Sequence, residues 1–357
     1  MKFFMWLILG YVCFFIFCLS LNFYVSFNRS ISVLAWGGTF CPEVIAKFEK
    51  KTGIKVNISY FSSNEELISK IILTDGRGID IIVPSDYALH CLKEKKLLTP
   101  LKTKRIAAYK SLYKFLLLPK DQGERYKEIF AVPIEWGVYG IAFKDTLNTI
   151  LCTSEIAFKA FFEGVLGQRK FALCMTSDII PTCNLAWMYY RSLFSNDVAD
   201  QRAMLTIVYE ILKKQHKSIV CYNDTNIKQL FVNNSIDIAF LQSDEFIRSH
   251  KEISNLQFIL PYFGILKTVE YIALSKNVQH LNESYEFINF ILDNEQIITH
   301  VNTLGYLPVR YDINKNDLLP SVINLRDAVM NNIKQLQSVS LLFDEKERLE
   351  ILMRIKN

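Results

Sequence analysis

Acidic and aromatic side chains that follow predicted β-strands are the residues of this chain best placed to do chemistry. The ring face of an aromatic residue attracts an organic ammonium group by about 0.5–2 kcal/mol. A carboxylate in the same place adds a charge pair, although removing water from both partners offsets much of its energy. The aromatic candidates are Trp36, Tyr87 and Trp136, and the acidic candidates are Asp86, Glu135, Asp178, Asp224, Asp244 and Glu270.

Each of these residues also has an ordinary structural explanation. Asp residues at strand ends often cap helices, and Trp residues often fill hydrophobic cores. What favours function is the recurrence of both types at successive strand ends, because ligands of open α/β sheets gather at the carboxyl ends of the strands. The pattern therefore predicts a binding site for a small organic cation.

Strands and helices alternate in the N-terminal part of the chain. We predict strands over Ile31–Trp36, Ile54–Tyr60 and Ile79–Val83, a helix over Pro42–Thr52, and a second helix that opens at Ser63. This order is typical of a parallel sheet with helices on both faces.

The rest of the chain continues with short strand and helix patterns. The predicted strands are Ile129–Pro133, Val138–Phe143, Phe171–Met175, Ser218–Tyr222, Ile236–Leu241 and Val269–Leu274, and the predicted helices are Cys183–Phe194, Thr225–Asn234, Ser284–Ile291 and Asp317–Asn357. A length of 357 residues fits about two domains. We therefore expect two α/β halves.

Composition and motifs exclude several classes of protein. The formal net charge of +5, from 41 basic and 36 acidic residues, comes without a dense basic block, so nucleic acid is not an expected partner. The sequence lacks the G-x-G-x-x-G, P-loop, G-x-S-x-G and H-E-x-x-H motifs, and its His residues are scattered. We therefore expect neither catalysis nor a bound cofactor. The Cys residues form no C-x-x-C pair and no cluster with His, which argues against a metal site.

Residues 1–30 form a separate N-terminal segment. From Phe3 to Asn28 the sequence has no charged residue, which is typical of a signal peptide or an uncleaved membrane anchor. Either would place the chain from Ile31 onward outside the cytoplasm. Disulfides would be permitted there, for example between Cys174 and Cys183, but free buried thiols fit the sequence equally well.

Four stretches of the chain carry a likeness to a known family. They are Leu34–Thr39 with Phe48–Val56, Ser63–Glu65 with Asp80–Tyr87, Val132–Gly137, and Ile288–Ile291 with Gly305–Pro308. On these residues the chain resembles the spermidine/putrescine-binding proteins of bacterial ABC importers, within the type II periplasmic-binding fold. The order and spacing of the stretches fit from about residue 31 to the C-terminus.

The resemblance implies an α/β fold of two lobes, with a hinge and a ligand cleft between them. Residues 31–135 with 268–316 would form the first lobe, residues 136–267 the second, and 317–357 helices that pack across both. The chain would cross the hinge near residues 135–137 and 267–268. The implied function is capture of polyamines outside the cytoplasm by a monomer whose lobes close on the ligand, for delivery to a membrane permease.

The resemblance also assigns roles to single residues. Trp36 would pack on the polyamine chain, and Ser85 and Tyr87 match cleft residues of the family. Glu270 stands where the family has an aspartate that pairs with an amine, and Asp178 lies near the family's acidic pair. Other family positions are changed here: Thr39 replaces an expected Tyr, and Gln242 and Thr268 stand where Trp is expected.

Because of these changes, a different ligand on the same fold is a second hypothesis: another small cation, an amino acid or a peptide. An enzyme built on this fold is a third hypothesis, and it would need a nucleophile within hydrogen-bond reach of a base.

Overall fold

The computed structural model describes residues 29–117, 128–176, 178–194, 200–223, 226–339, 342–343 and 345–356. The predicted N-terminal segment lies outside the described residues up to position 28. Its last two residues belong to the folded chain, because Arg29 pairs with Glu283 and Glu286 and Ser30 begins the first strand. Within the described part of the chain, no helix combines the length and the apolarity needed to cross a bilayer.

Thirteen strands and twelve α-helices are present in the described residues. The strands are β1 (Ser30–Trp36), β2 (Lys55–Phe61), β3 (Ile81–Ile82), β4 (Leu98–Thr99), β5 (Ala131–Lys144), β6 (Val165–Leu166), β7 (Arg169–Lys170), β8 (Leu173–Met175), β9 (Ile219–Tyr222), β10 (Ile238–Gln242), β11 (Leu256–Ile259), β12 (Ile265–Ser275) and β13 (Leu336–Ser338). The helices are α1 (Pro42–Thr52), α2 (Asn64–Thr74), α3 (Asp86–Glu94), α4 (Ser154–Glu163), α5 (Ile179–Leu193), α6 (Gln201–His216), α7 (Ile227–Val232), α8 (Ser243–His250), α9 (Leu281–Ile291), α10 (Asn294–Leu304), α11 (Pro320–Asn331) and α12 (Glu345–Lys356).

One sheet runs through the molecule in the order β2-β1-β3-β12-β5-β10-β8-β9. Strand β1 is parallel to β2 and β3, as the alternating pattern predicts, whereas β12 is antiparallel to both β3 and β5. The long strand β5 pairs with β12 along its first half and with β10 and β11 along its second half. Strand β5 thus links the two parts of the sheet.

Two hydrophobic cores flank this sheet. The first core contains Phe48, Tyr271 and Phe287, and the second contains Phe161 and Phe240. A sheet with helices around two separate cores is the two-lobed α/β architecture predicted from the sequence, and that prediction is confirmed. The residue boundaries of the lobes stay a prediction.

The predicted helix over Pro42–Thr52 is present with those bounds as α1. Pro42 occupies its first turn, where a missing N–H costs nothing, and Gly53 ends it in the left-handed conformation at φ 70°. Helix α2 begins after Ser63, whose hydroxyl accepts a hydrogen bond from the Glu66 N–H.

Two predicted elements need correction. Residues 134–137 do not separate two strands, as predicted, because β5 is one continuous strand over Ala131–Lys144. Gly137 lets the start of α8 approach this strand closely, since a Cβ there would lie only 2.9 Å from Ser243 Oγ. The C-terminal region is not helical throughout, because Leu336–Ser338 forms β13, which pairs in parallel with the first three residues of β12.

The cysteines of the described region are all free thiols, so Cys174 and Cys183 form no disulfide. Both side chains are buried, and Cys183 belongs to the second core. Their small, apolar character explains their positions without covalent pairing.

Candidate ligand-binding cavity

A cavity of about 700 Å³ opens where the strand ends of both sheet halves meet. Eight of the predicted site residues line it: Trp36, Ser85, Asp86, Glu135, Asp178, Gln242, Asp244 and Glu270. They reach it from different elements, because Trp36 ends β1, Asp86 begins α3, and Gln242 ends β10. Thr268, the changed family position on β12, lines the cavity as well.

Two predicted residues do not line the cavity. Trp136 is only 1% exposed, its ring packs 5.3 Å from that of Phe115, and its Nε1 donates a hydrogen bond to the Pro308 carbonyl at 2.9 Å. Successive side chains of a strand point to opposite faces, so Glu135 reaches the cavity and its neighbour Trp136 cannot. Thr39 is buried in the turn after β1. These positions correct the expectation that both residues face a ligand.

Two further predicted residues cannot be placed in the same way. Asp224 lies outside the described residues. The backbone of Tyr87 belongs to the first turn of α3, whereas its side chain lies outside what the structure describes.

Four acidic side chains run in a row along the cavity floor, and we call Asp86, Glu270, Glu135 and Asp244 the carboxyl row. Glu270 of β12 stands opposite Glu135 of β5 in the antiparallel register. The residue before Asp86, Ser85, forms a β-bridge with Glu270, which brings the start of α3 beside β12. At the other end, Asp244 follows β10 in the first turn of α8.

Burial and mutual repulsion raise the pKa values along the carboxyl row. Burial lifts the pKa of Asp86 to about 6, against the opposing effect of Lys267. Burial also raises the pKa of Glu270 well above its ordinary value, and the charges of Glu135 and Asp86 raise it further. The pKa of Glu135 rises well above its ordinary value through burial and the nearby Asp244. Buried carboxyl groups of one sign hold protons until an external cation compensates them.

Several polar atoms around the row lie buried without a hydrogen-bond partner among the described residues. They are Trp36 Nε1, Ser85 Oγ, Asp86 Oδ2, Asp244 Oδ1 and Glu270 Oε2. Asp86 and Glu270 as whole residues are only half-buried, but these carboxyl oxygens have almost no solvent contact. An unpaired buried polar group costs roughly 1–3 kcal/mol. Three of these atoms are carboxyl oxygens, and such acceptors in one wall indicate a ligand that donates hydrogen bonds.

A buried imidazole contacts the middle of the carboxyl row. Nε2 of His300 lies 2.7 Å from Oε2 of Glu135, and the His300 ring stacks on that of Tyr306. Burial lowers the pKa of His300 to about 4 while it raises that of Glu135, so both groups favour their uncharged forms. In those forms the protonated Glu135 carboxyl donates a hydrogen bond to Nε2 of the neutral His300 ring.

Two arginines balance other carboxyl groups of the cavity wall. Arg248 lies 2.8 Å from Asp244 and 2.7 Å from Glu245, all within α8. Arg348 of α12 lies 3.3 Å from Glu65 of α2. Sequence reasoning missed Glu245, Arg248 and Arg348 as cavity residues. The spacing from Asp244 to Arg248 is a recognisable i,i+4 pair, whereas no local signal connects positions 65 and 348.

The remaining acidic candidate has a structural role. The Asp178 carboxylate caps α5 by accepting a hydrogen bond from the Ile180 N–H at 2.8 Å, and Asp178 still lines the cavity. Within the described residues, no group of three or more His, Cys, Asp or Glu side chains has the arrangement to hold a metal ion.

Comparison with known proteins places this geometry in context. The chain is 24% identical over 284 residues to the spermidine/putrescine-binding periplasmic protein 1 of Haemophilus influenzae, covering 78% of this chain and 75% of that protein. It is 21% identical over 292 residues to the putrescine-binding periplasmic protein PotF of Escherichia coli, covering 77% and 76% of the two chains.

A solved structure shares the fold. The spermidine/putrescine ABC transporter substrate-binding protein of Streptococcus pneumoniae superimposes with a TM-score of 0.71 at 20% identity, over 92% of this chain and 99% of that one. The sequence profile of the bacterial extracellular solute-binding proteins matches residues 43–322. That match spans most of the chain and includes every described residue of the carboxyl row. The chain therefore belongs to the family of bacterial extracellular solute-binding proteins.

Proposed function

We propose that this protein captures polyamines of the putrescine and spermidine class outside the cytoplasm and delivers them to an ABC importer. The observation that carries the proposal is the carboxyl row, in which one buried oxygen each of Asp86, Glu270 and Asp244 lacks a partner within the described residues. An alkyl diammonium supplies what this wall lacks, because each ammonium group donates hydrogen bonds and carries compensating charge.

The aromatic part of the wall supports the same class of ligand. Trp36 lines the cavity beside the carboxyl row, and its ring packs 4.6 Å from that of Phe61. A ring fixed in this way offers its face to an alkyl chain or an ammonium group. The names of the two periplasmic relatives, both polyamine-binding proteins, agree with this reading.

The enzymatic hypothesis receives no comparable support. Ser85 lies next to Asp86 at the start of α3, and its Oγ has no hydrogen-bond partner in the described part of the chain. A hydroxyl that no base contacts is not activated for attack.

Delivery requires a second state of the molecule. We propose that the lobes close on the ligand about residues 135–137 and 267–268, where β5 and β12 lie side by side between the two halves of the sheet. The closed form of this monomer would be the one a membrane permease binds. The uncharged N-terminal segment would place the protein outside the cytoplasm, as a cleaved signal or as an anchor.

Calorimetry tests the proposed ligand class. Putrescine, spermidine and spermine are titrated into the full-length chain, with succinate and butylamine as controls for charge sign and charge number. We expect saturable heat and a rise in Tm with at least one polyamine and neither with succinate. The absence of heat and of a thermal shift at millimolar polyamine would refute the proposal.

A further inference from the structure

The inference concerns Arg248, a cation that the protein itself places in the cavity. Arg248 lines the cavity wall, and its guanidinium group contacts Asp244 Oδ2 at 2.8 Å and Glu245 Oε2 at 2.7 Å. A third contact, from Nη1 to the Leu304 carbonyl at 2.7 Å, fixes the group in place. The side chain is held from two elements, α8 and the end of α10.

The charges of the cavity wall divide into compensated and uncompensated groups. Its described residues include seven carboxyl and two guanidinium groups. Arg248 pairs with Asp244 and Glu245, and Arg348 pairs with Glu65. No arginine contacts Asp86, Glu135 or Glu270 among the described residues, and these three form the rest of the carboxyl row.

The position of Arg248 is one that a ligand cation would otherwise take. Asp244 is 5% exposed and its second oxygen, Oδ1, is buried without a partner among the described residues, so the end of the carboxyl row is built to hold positive charge. The electrostatic influence of Arg248 also reaches Glu135, whose pKa it lowers. The Arg248 guanidinium group therefore supplies, at this end of the carboxyl row, the positive charge that a ligand ammonium group would otherwise supply.

We propose that Arg248 is an internal cation that fills one cation position of the cavity and so restricts the ligand to a short diamine. The ligand then occupies only the row from Asp86 through Glu270 to Glu135. Glu270 and Glu135 stand directly opposite each other on adjacent strands, with Cβ atoms about 5 Å apart, so the remaining row is short and favours a four-carbon diamine over a longer triamine. A third ammonium group would meet Arg248 and be repelled. This inference rests on the proposed polyamine function and names the member of that class that fits.

The test is the ratio of the Kd for spermidine to the Kd for putrescine, measured by calorimetry on the full-length chain. Arg248→Met removes the charge and keeps most of the side-chain volume. We expect it to lower this Kd ratio, in favour of spermidine, by at least about tenfold. Arg248→Lys keeps the charge and should leave the ratio within about threefold. Arg348→Met is the matched control, because it removes the other cavity guanidinium group and should not change the ratio.

The outcomes separate this inference from the function on which it rests. If the wild-type chain binds no polyamine, both the proposed function and the role of Arg248 are overturned. If it binds polyamines and Arg248→Met leaves the ratio unchanged, or if Arg348→Met shifts it equally, only the role of Arg248 is overturned. Should Arg248→Met not fold, a crystal structure of the wild-type chain with putrescine decides. Arg248 remaining on Asp244 and Glu245 supports the inference, and a ligand nitrogen on Asp244 in its place overturns it.

Discussion

Glu135 and Glu270 stand opposite each other on neighbouring antiparallel strands, and both line the same cavity. Directly opposite residues of such strands lie about 5 Å apart at Cβ, where two like charges in a buried site repel strongly. The charge of Glu135 raises the pKa of Glu270, and Glu135 in turn forms a hydrogen bond with His300. The pair is therefore costly to ionise without a ligand and becomes stable when a cation lies against it.

Substitution of Glu270 should separate binding from stability. We expect Glu270→Gln to weaken polyamine affinity by more than tenfold, since truncating one partner of a buried charge pair costs about 2–5 kcal/mol. The same change should raise the Tm of the ligand-free protein at pH 7.5, because the folded protein holds the Glu270 carboxyl protonated at a pH where the unfolded chain ionises it. Calorimetry and thermal unfolding measure the two effects.

Glu43→Gln serves as the control for Glu270→Gln. Glu43 lies on α1 with an exposed side chain paired to Lys47, so its loss should change neither affinity nor Tm appreciably. An unchanged affinity in Glu270→Gln would remove this residue from the binding site.

Ligand binding should release protons. Burial holds the pKa of Asp86 at about 6 and those of Glu135 and Glu270 well above their ordinary values. A bound ammonium group favours the ionised carboxylates, so about one proton should leave per ligand near pH 7, and affinity should increase from pH 5.5 to 8. Calorimetry in two buffers of different ionisation enthalpy gives the proton number directly. A binding heat independent of the buffer would contradict the assigned protonation.

Asp86 gives the corresponding pH dependence of stability. Its folded pKa of about 6 lies above the ordinary value of 3.8. The protonated form therefore stabilises the fold below about pH 4, and this contribution is lost as pH rises through 6. Relative to Asp86→Asn, the ligand-free wild type should lose stability as the pH rises from about 4 through 6. Above that range the difference in stability between the two proteins should stay constant. Parallel Tm curves of the two proteins would show that Asp86 titrates normally.

The two tryptophans that follow predicted strands should respond differently to substitution. Trp36→Leu should weaken amine binding roughly 3- to 30-fold, the range expected for loss of a ring face, with a small change in Tm. Trp136→Leu should leave the affinity of the folded protein nearly unchanged. It should lower stability by several kcal/mol, because it removes a fully buried ring and the hydrogen bond to Pro308. Equal effects of the two changes on affinity would contradict the placement of Trp136 in the core.

The sequence was sufficient for features that depend on local pattern. Helix α1 was predicted with its bounds because Pro42 and Gly53 mark its ends, and the strand-end positions of Trp36 and Asp86 followed from short apolar runs closed by turns. Glu270 was predicted from its place near a strand end and, independently, from the resemblance.

Features set by tertiary packing could not be predicted in this way. The opposite orientations of Glu135 and Trp136 depend on the register of β5 in the sheet, which a predicted break at residues 134–137 concealed. The burial that raises the carboxyl pKa values comes from elements distant in the chain. The Glu65–Arg348 contact joins residues 283 positions apart, so no local periodicity could reveal it.

That contact is the basis of the last prediction. Glu65 belongs to α2, which packs on the first core through Leu67, whereas Arg348 belongs to α12, which packs on the second core through Ile351. Both residues line the cavity, so their ion pair spans it between the two cores. Breaking the pair with Arg348→Gln should therefore speed ligand release more than it slows association.

The expected size of this effect is modest. Glu65 is 42% exposed at its side chain, so solvent screens the pair, and we expect koff to rise about threefold with little change in kon. Stopped-flow fluorescence measures both rates. Arg354→Gln is the matched control, because Arg354 lies on the same helix and pairs with Glu350 away from the cavity. A double-mutant cycle with Glu65→Gln should give a non-additive koff, since both changes remove one contact, and strictly additive effects would rule out a link between the cores through this pair.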